Sequence, residues 1–401
     1  MYNIESMTRD EIVYKVLKTS NSSIILEGAT GIGKSYVALK KIDQLKPKSI
    51  LIVIPRLVLI QNWMSEFGKW GYDDYLTNTK FVTYVSLPKL ENTNYDVIIF
   101  DECHHLSERC QIALNKINSK NNLFLSATIS KKLRYNLLQK YTDLTTVKIT
   151  LNDAINENIL PSPKIILVSL QLDCVEGEHI YTFRKSAKSF VQMTYSQWIK
   201  QKASYYRRTN IGVKIICNGK EYYDLVSREV NRCKDNYMNN GLQYMHNQWM
   251  QISGKRLKWL STVKEEQIIK LLNNLSSYRT LTFCSDIKQT EKLGSNQINS
   301  KNKKSDENLK RFNNHEIDHI TACNMLDEGI NLNDCQVGIF AYINSSERMQ
   351  IQKIGRILRH KNPVIILPYF VNTREEEIVE KMLQQYDKSL IETQSNFDIV
   401  I

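Results

Sequence analysis

The sequence predicts a parallel α/β protein with two domains, and three observations support this prediction. First, apolar runs typical of strands alternate with helix-like stretches through the first half, the order that produces a parallel sheet. Second, the run 95–100 is apolar throughout after Asp96, as in a strand covered on both faces. Third, a new strand-like run begins at residue 164, after Pro161 and Pro163. The alternating stretches lie at 49–54, 58–70, 80–85, 96–100, 110–117 and 123–125.

The prolines that end the helix-like stretch 151–160 predict a domain boundary near residue 157. The expected domains are 1–157 and 158–401. A chain of 401 residues is long enough to bury a core in each of them.

A phosphate-binding pattern, G-x-x-x-x-G-K-[ST], lies between a strand-like and a helix-like run. Its glycines allow backbone N–H groups to surround phosphate oxygens, and the N-terminus of the following helix adds positive potential. Lys34 is placed to reach the β- and γ-phosphates and Ser35 to bind Mg²⁺. The pattern therefore predicts a nucleoside triphosphate site formed by Gly28, Ala29, Thr30, Gly31, Ile32, Gly33, Lys34 and Ser35.

Two adjacent carboxylates follow the predicted strand 95–100. Asp101 and Glu102 stand at its C-terminal end, the edge of a parallel sheet at which ligands bind. Asp101 is suited to holding Mg²⁺, and Glu102 to accepting a proton from the water that attacks the γ-phosphate. An acidic pair in this place is also typical of a helix N-cap. The phosphate-binding pattern upstream favours the catalytic interpretation.

The chain is basic, with 54 Lys and Arg against 42 Asp and Glu. This excess suits a polyanionic partner such as nucleic acid, although it is also typical of charge that only maintains solubility. The eight cysteines include no CxxC pair, so reduced thiols and a cytoplasmic protein are expected, in the host cytoplasm if the protein is viral. Residues 1–10 lack an apolar signal segment and no eighteen apolar residues run together, so no membrane association is expected.

Further segments of the first half resemble superfamily 2 helicases of the DExH kind. Residues 51–63 resemble motif Ia, 81–87 motif Ib and 126–128 motif III, besides DECHH at 101–105. In that family, motifs Ia and Ib contact the nucleic-acid strand, and motif III links the ATP site to the second lobe. The resemblance implies nucleic-acid contacts by Pro55, Arg56, Thr83 and Tyr84, and coupling by His105, Ser126 and Thr128.

The second half carries the remaining motifs of this resemblance. Residues 278–284 resemble motif IV, 320–331 motif V and 350–359 motif VI, Q-x-x-G-R-x-x-R. Motif V would add Gly329 to the ATP site. It departs from the family at Cys323 and Asn331, where Thr and Asp are usual, so a phosphate contact and a ribose contact are in question.

Motif VI implies catalytic roles for Gln352, Arg356 and Arg359, with the two arginines as fingers on the γ-phosphate. Because the arginines are three residues apart, we expect them to share one helix face. Two solvated arginines on a helix are the alternative. Paired cations opposite a phosphate loop are what phosphoryl transfer requires, which favours the fingers.

The resemblance implies two RecA-like lobes of the P-loop NTPase kind, with ATP and Mg²⁺ in the cleft between them. Repeated closure and opening on ATP would move the protein along nucleic acid. We expect an ATP-dependent helicase or translocase, acting on DNA by unwinding, branch migration or annealing in replication, recombination or repair. DNA is favoured over RNA because DECHH and GRILR look like phage-type DEAD/DEAH-box DNA helicases. An RNA helicase and a non-hydrolysing nucleic-acid-binding scaffold are the alternatives.

The segment at about 174–262 predicts a helical insertion in the second lobe. From Cys174 to Leu260 it holds fifteen Lys and Arg against six Asp and Glu, interleaved with aromatic residues. Such a composition suits a nucleic-acid strand whose bases stack and whose phosphates pair with charge, with Arg207 and Arg208 as candidate contacts. A helical brace whose aromatics form its own core is an equal alternative.

Two further patterns concern zinc and adenine recognition. Residues 315–319 fit HExxH, a zinc protease pattern. Asn313 and Asn314 are expected to end the preceding helix, so the two histidines would not share a helix face.

Residues 7–17 contain no glutamine of the kind that reads adenine in many DExH proteins, so the sequence predicts triphosphate binding more firmly than it predicts which base is bound.

Overall fold

The computed structural model describes residues 9–201, 210–323, 332–384, 386–395, 397 and 399. Several residues singled out by the sequence lie outside this described part of the chain, namely Arg207, Arg208, Gly329 and Asn331.

The first lobe is built on a parallel sheet with the strand order β3-β2-β4-β5-β1-β6 among the described residues. Its strands are β1 (Ser23–Gly28), β2 (Ile50–Ile54), β3 (Thr79–Thr83), β4 (Thr93–Phe100), β5 (Ile117–Ser126) and β6 (Thr145–Ile149). Its helices are α1 (Arg9–Lys18), α2 (Lys34–Leu45), α3 (Leu59–Lys69), α4 (Glu108–Leu114), α5 (Lys131–Lys140) and α6 (Leu151–Asn156).

The central strands of this sheet are covered on both faces. In β2 every residue is buried, and alternate residues enter two different apolar clusters. Ile50 and Ile52 pack on one side, while Leu51 and Val53 pack on the other. The continuous apolar runs of the sequence therefore form a buried parallel sheet, as predicted.

The second lobe contains a second parallel sheet, with the order β12-β13-β11-β14-β15-β7-β16 among the described residues. Its strands are β7 (Lys164–Leu170), β11 (Thr280–Phe283), β12 (Gln297–Ile298), β13 (His319–Ala322), β14 (Val337–Phe340), β15 (Val364–Phe370) and β16 (Ile391–Gln394). The two-lobed α/β prediction is confirmed. The domain boundary predicted near 157 falls between α6 and β7, and it remains a proposal.

An insertion separates β7 from β11, and the prediction that it is helical is wrong in part. It contains a three-stranded sheet of β8 (His179–Phe183), β9 (Ser189–Thr194) and β10 (Ile211–Cys217), in the order β8-β10-β9. These strands are short and carry many exposed residues, so their two-residue period is weak in the sequence. Its helices are α7 (Tyr195–Lys200), α8 (Gly219–Asn240) and α9 (Gln243–Val263).

Part of the insertion's aromatic content is core. Trp198 is 8% exposed and packs with Val213, Ile215 and Leu225 between the small sheet and α8. The rings of Phe183 and Trp198 lie 5.2 Å apart between centroids. For these two residues the alternative of a structural brace with an aromatic core holds.

The second lobe is completed by helices packed around its sheet. They are α10 (Glu265–Asn274), α11 (Ile287–Leu293), α12 (Ser305–Asn313), α13 (Glu347–Ile357) and α14 (Arg374–Leu383). In the part of the chain that is described, no helix has both the length and the apolar character needed to cross a membrane.

The HExxH residues fall on different elements. The helix α12 ends at Asn313, and His319 begins β13. His315 lies between them with a left-handed φ of 60°. The two histidines therefore do not share a helix face.

Candidate nucleotide site

The phosphate-binding loop joins the end of β1 to the start of α2. Gly31 and Gly33 have φ angles of 97° and 92°, a left-handed region that favours glycine. The first N–H groups of α2 point out of its N-terminus, as in any helix. Because the N-cap is Gly33, no N-cap side chain accepts a hydrogen bond from them. Lys34 Nζ donates to the carbonyl oxygens of Gly28, at 2.9 Å, and Ala29, at 3.4 Å. The loop thus combines N–H groups and an ammonium group, which suits a polyphosphate.

Asp101 follows β4 and is held in place by two aromatic residues. Its Oδ2 accepts a hydrogen bond from Trp63 Nε1 at 2.9 Å, and its backbone oxygen accepts one from the Tyr84 hydroxyl at 2.7 Å. Desolvation, followed by the charge of Glu102, raises the pKa of Asp101 to about 6, while Lys34 acts in the opposite direction. A cation beside this carboxylate would favour its ionised form, so the site fits Mg²⁺.

Glu102 is linked to motif III through His104. Glu102 has a left-handed φ of 49°, and its Oε2 lies 3.3 Å from His104 Nδ1. The same Nδ1 lies 3.0 Å from Ser126 Oγ, which itself donates to the carbonyl of Thr128 at 2.9 Å. Because the Ser126 proton is used there, Ser126 accepts from His104, and the Nδ1 atom carries the hydrogen. This chain of contacts joins the two motifs.

The assignment of coupling to His105 needs correction, because the histidine seen to contact Ser126 is His104. Residues Cys103–His105 form a 3-10 helix. Successive side chains of such a helix point about 120° apart, so neighbouring histidines face different surroundings. The ring of His105 lies against Tyr84 instead, with 5.8 Å between centroids. In the D-E-x-H pattern that begins at Asp101, the histidine falls at position 104, so the sequence already carried a signal for His104.

Tyr84 is a second correction. Its side chain is 5% exposed, and its hydroxyl is bonded to Asp101, so the ring is not available to a nucleic-acid strand. Pro55 and Thr83 are half-buried and Arg56 is exposed, at the carboxyl ends of β2 and β3. Three exposed apolar residues that the sequence analysis did not select lie beside them, and these are Leu57, Val58 and Val85. The sequence could have indicated these three residues, because they are large apolar side chains within the segments that resemble the strand-binding motifs Ia and Ib.

Motif VI lies on α13, but its two arginines are not on one helix face. Arg356 is 4% exposed within the helix, whereas Arg359 lies beyond its end at Ile357 and is exposed. The backbone N–H of Leu358 caps the helix by bonding to the carbonyl of Ile354. Although Arg359 is partly open to solvent, the protein around its guanidinium lowers its pKa, and the carboxylate of Glu66 on α3 acts in the opposite direction. Arg359 thus reaches toward the first lobe from a turn.

The two lobes meet at the phosphate-binding loop. A Cβ built on Gly355 would lie 2.7 Å from the Cβ and the carbonyl oxygen of Thr30. Gln352, one turn earlier on α13, is 2% exposed, and its Nε2 has no hydrogen-bond partner among the described residues. Motif VI therefore packs directly onto the loop that is expected to hold the triphosphate.

Comparisons with known proteins agree with this arrangement. Residues 4–131 match the family model of the type III restriction enzyme res subunit, and residues 263–361 match that of the helicase conserved C-terminal domain. The DNA 3′-5′ translocase XPB2 of Sulfurisphaera tokodaii is 25% identical over 380 residues, which are 89% of this chain and 79% of that protein. The chain belongs to the superfamily 2 helicases.

Solved structures of other proteins share the fold. Dbp5 of S. cerevisiae, bound to RNA and ADP BeF3, has a TM-score of 0.59 at 10% identity, covering 97% of this helicase and 90% of Dbp5. The type ISP restriction-modification enzyme LlaBIII, bound to DNA, has a TM-score of 0.55 at 13% identity, covering 98% of this chain and 31% of that one. At these identities the likeness concerns the two RecA-like lobes.

Proposed function

We propose that this helicase hydrolyses ATP in order to move along DNA and to open or remodel paired strands. The observation that carries the proposal is the contact between Gly355 and Thr30, which brings motif VI onto the phosphate-binding loop. A site completed by both lobes can be assembled and taken apart with each nucleotide. Such alternation is how hydrolysis becomes movement.

The residues of the first lobe are assigned to binding and to the proton transfer. The phosphate-binding loop and Lys34 hold the triphosphate, and Ser35 and Asp101 hold Mg²⁺. When bound, the metal neutralises charge on the phosphate oxygens. Glu102 accepts the proton of the attacking water, whose oxygen bonds to the γ-phosphorus as the bond to the bridging β–γ oxygen breaks.

The residues of the second lobe are assigned to the charge that develops on the phosphates. Gln352 orients the attacking water, and Arg356 and Arg359 act as arginine fingers. Gly329 is assigned to the ATP site by resemblance alone. The contacts from His104 to Glu102 and Ser126 support a path by which binding of the nucleic-acid strand influences the catalytic carboxylate of Glu102.

DNA is the proposed track. The relative XPB2 is described as a DNA translocase and matches along most of both chains, which supports DNA over RNA. The net charge of +12 also suits a polyanion. Arg56 and Thr83 are assigned to the strand backbone, together with Pro55 and the exposed Leu57, Val58 and Val85.

The test is a phosphate-release assay with single-stranded DNA, forked DNA and RNA of matched length. We expect stimulation by DNA above the rate without nucleic acid, and none in the Glu102→Gln control. Stimulation by RNA alone would transfer the assignment to an RNA helicase. No stimulated turnover with any strand, while binding persists, would identify a non-hydrolysing scaffold.

A further inference from the structure

The small sheet of the insertion has one open face. Its register places Ile180 and Thr182 of β8 beside Ile216 and Lys214 of β10. On the other side of β10, Gly212 and Lys214 pair with Phe190 and Gln192 of β9. The opposite face carries Met193, Val213, Ile215 and Cys217, which pack against α7 and α8. One face is thus core, and the other is what we call the outer face, with Ile180, Thr182, Phe190, Gln192, Gly212, Lys214 and Ile216.

The outer face reaches solvent even at its central strand. Along β10, Val213 and Ile215 are buried while Lys214 between them is exposed. Phe190 is 38% exposed and Ile180 is 57% exposed. A central strand with an exposed side chain marks a face that no other described element covers.

Phe190 and Lys214 form the centre of this face. The Phe190 ring lies against the backbone of Gly212, where an added Cβ would be 2.4 Å from Cε1. Any residue with a side chain at position 212 would displace the ring. Lys214 Nζ lies 5.5 Å from the centroid of the same ring. The centre of the outer face is therefore an aromatic ring with an ammonium group over it, on an open β-surface.

The charge of the segment has a single sign. Residues 179–217 contain eight Lys and Arg and no Asp or Glu. Lys185 and Lys188, in the connection from β8 to β9, are exposed. A surface that neutralises phosphates benefits from cations without competing carboxylates. The pattern is unlike ordinary solvated surfaces, where both signs are mixed.

We propose that the outer face binds single-stranded DNA outside the ATP cleft. A base stacks on Phe190, and phosphates pair with Lys214, Lys185 and Lys188. Aromatic side chains on open sheets hold unpaired bases in this way, because every base offers a π-face. The inference rests on the proposed function and adds to it a second place at which the strand is held.

The experiment measures the affinity of the whole chain for fluorescein-labelled oligo-dT of about 20 nucleotides, longer than a single small β-fold covers. Anisotropy is recorded over a series of salt concentrations for wild type, Phe190→Leu and Lys214→Glu. Leucine keeps an apolar cover over Gly212 but cannot stack. The matched controls are Tyr135→Leu, an exposed ring on α5, and Lys303→Glu, an exposed lysine before α12.

We expect Phe190→Leu to weaken binding about five- to 150-fold, the range for one stacked base, with the salt dependence unchanged. Lys214→Glu should lower the log–log salt slope by about 0.7 for each phosphate that is no longer paired with a cation. Both controls should bind as wild type does. Thermal melting of each variant shows whether the insertion is still folded.

The outcomes separate the two proposals. If wild type binds oligo-dT and hydrolyses ATP faster with it, while both outer-face variants bind like their controls, the outer face is not a DNA site and the proposed function stands. The series is repeated with oligo-rU of the same length, and outer-face variants that bind oligo-rU more weakly but oligo-dT as wild type does would likewise overturn a DNA site. If wild type neither binds oligo-dT nor responds to it, the proposed function fails, and the inference that rests on it fails too.

Discussion

Gly355 on α13 lies against Thr30 in the phosphate-binding loop, so close that a Cβ on Gly355 would be 2.7 Å from the Thr30 carbonyl oxygen. Neither partner can yield easily, because one is loop backbone and the other is within a helix. The residue at position 355 therefore sets how closely the two lobes can approach at the nucleotide site.

We expect Gly355→Ala to lower DNA-stimulated ATP turnover by about tenfold or more, since holding the lobes apart by a methyl group costs on the order of 1.4 kcal/mol or more at the barrier. ATP binding to the first lobe should change little. The matched control is Gly254→Ala on α9, where an added Cβ meets no described atom within 4 Å. Equal turnover in Gly355→Ala and wild type would show that this contact is not made during catalysis.

Lys34 and Glu102 should have separable roles. Lys34→Ala should abolish ATP binding, because the ammonium group neutralises phosphate charge. Glu102→Gln should keep binding and lower turnover about 100- to 10,000-fold, because an amide cannot take the proton. Nucleotide binding by fluorescence and phosphate release by a coupled assay measure the two effects. A Glu102→Gln variant with wild-type turnover would remove this residue from the mechanism.

Arg359 should affect the rate far more than affinity. Because it reaches toward α3 of the first lobe from a turn, Arg359→Ala should leave the second lobe folded and lower turnover by about a thousandfold, the range for an arginine finger. Arg311→Ala on α12 is the control, since Arg311 is also partly exposed and pairs with Glu316 at 3.6 Å. A variant that binds ATP more weakly but keeps its maximal rate would contradict the finger role.

The parts predicted well from the sequence are those in which chemistry and local structure are contiguous. The loop from Gly28 to Ser35 and the strand that ends just before Asp101 each carry their structural context within a few residues. Central strands such as β2 and β4 are also continuous apolar runs, so they could be predicted from hydrophobicity along the chain, whereas the edge strands β6 and β16 are partly polar and were not predicted.

The parts missed depend on direction or on distant neighbours. His105 was predicted in place of His104, although the D-E-x-H spacing from Asp101 indicates His104, and a 3-10 turn points the two rings toward different surroundings. The place of Arg359 depends on where α13 ends, and helix ends are poorly marked by periodicity. Tyr84 is buried because its hydroxyl meets Asp101 seventeen residues away, a contact that no local pattern encodes.

A buried ion pair in the second lobe gives a prediction about stability. Lys264 and Glu375 are both fully buried, with Nζ 2.7 Å from Oε1. Lys264 also donates to the carbonyl of Pro368, and Glu375 Oε2 accepts from the backbone N–H of Phe370. Desolvation lowers the pKa of Lys264 and raises that of Glu375, while the attraction between them opposes both shifts. Each charge is therefore tolerated only because the other is present.

Lys264→Met should lower the free energy of unfolding by about 3–5 kcal/mol, because it leaves the Glu375 carboxylate buried without its cation. Adding Glu375→Gln, which keeps an acceptor for Phe370, should recover much of that stability, so the two substitutions should be strongly non-additive. The control is Lys132→Met at the exposed pair with Glu108, which has a similar Nζ–Oε1 distance of 2.6 Å. In this exposed pair the partners raise the pKa of Lys132 and lower that of Glu108, the opposite of the directions in the buried pair. Because the pair is in solvent, Lys132→Met should change the urea midpoint of unfolding little. Additive effects at Lys264 and Glu375 would mean that the two charges are stabilised independently of each other.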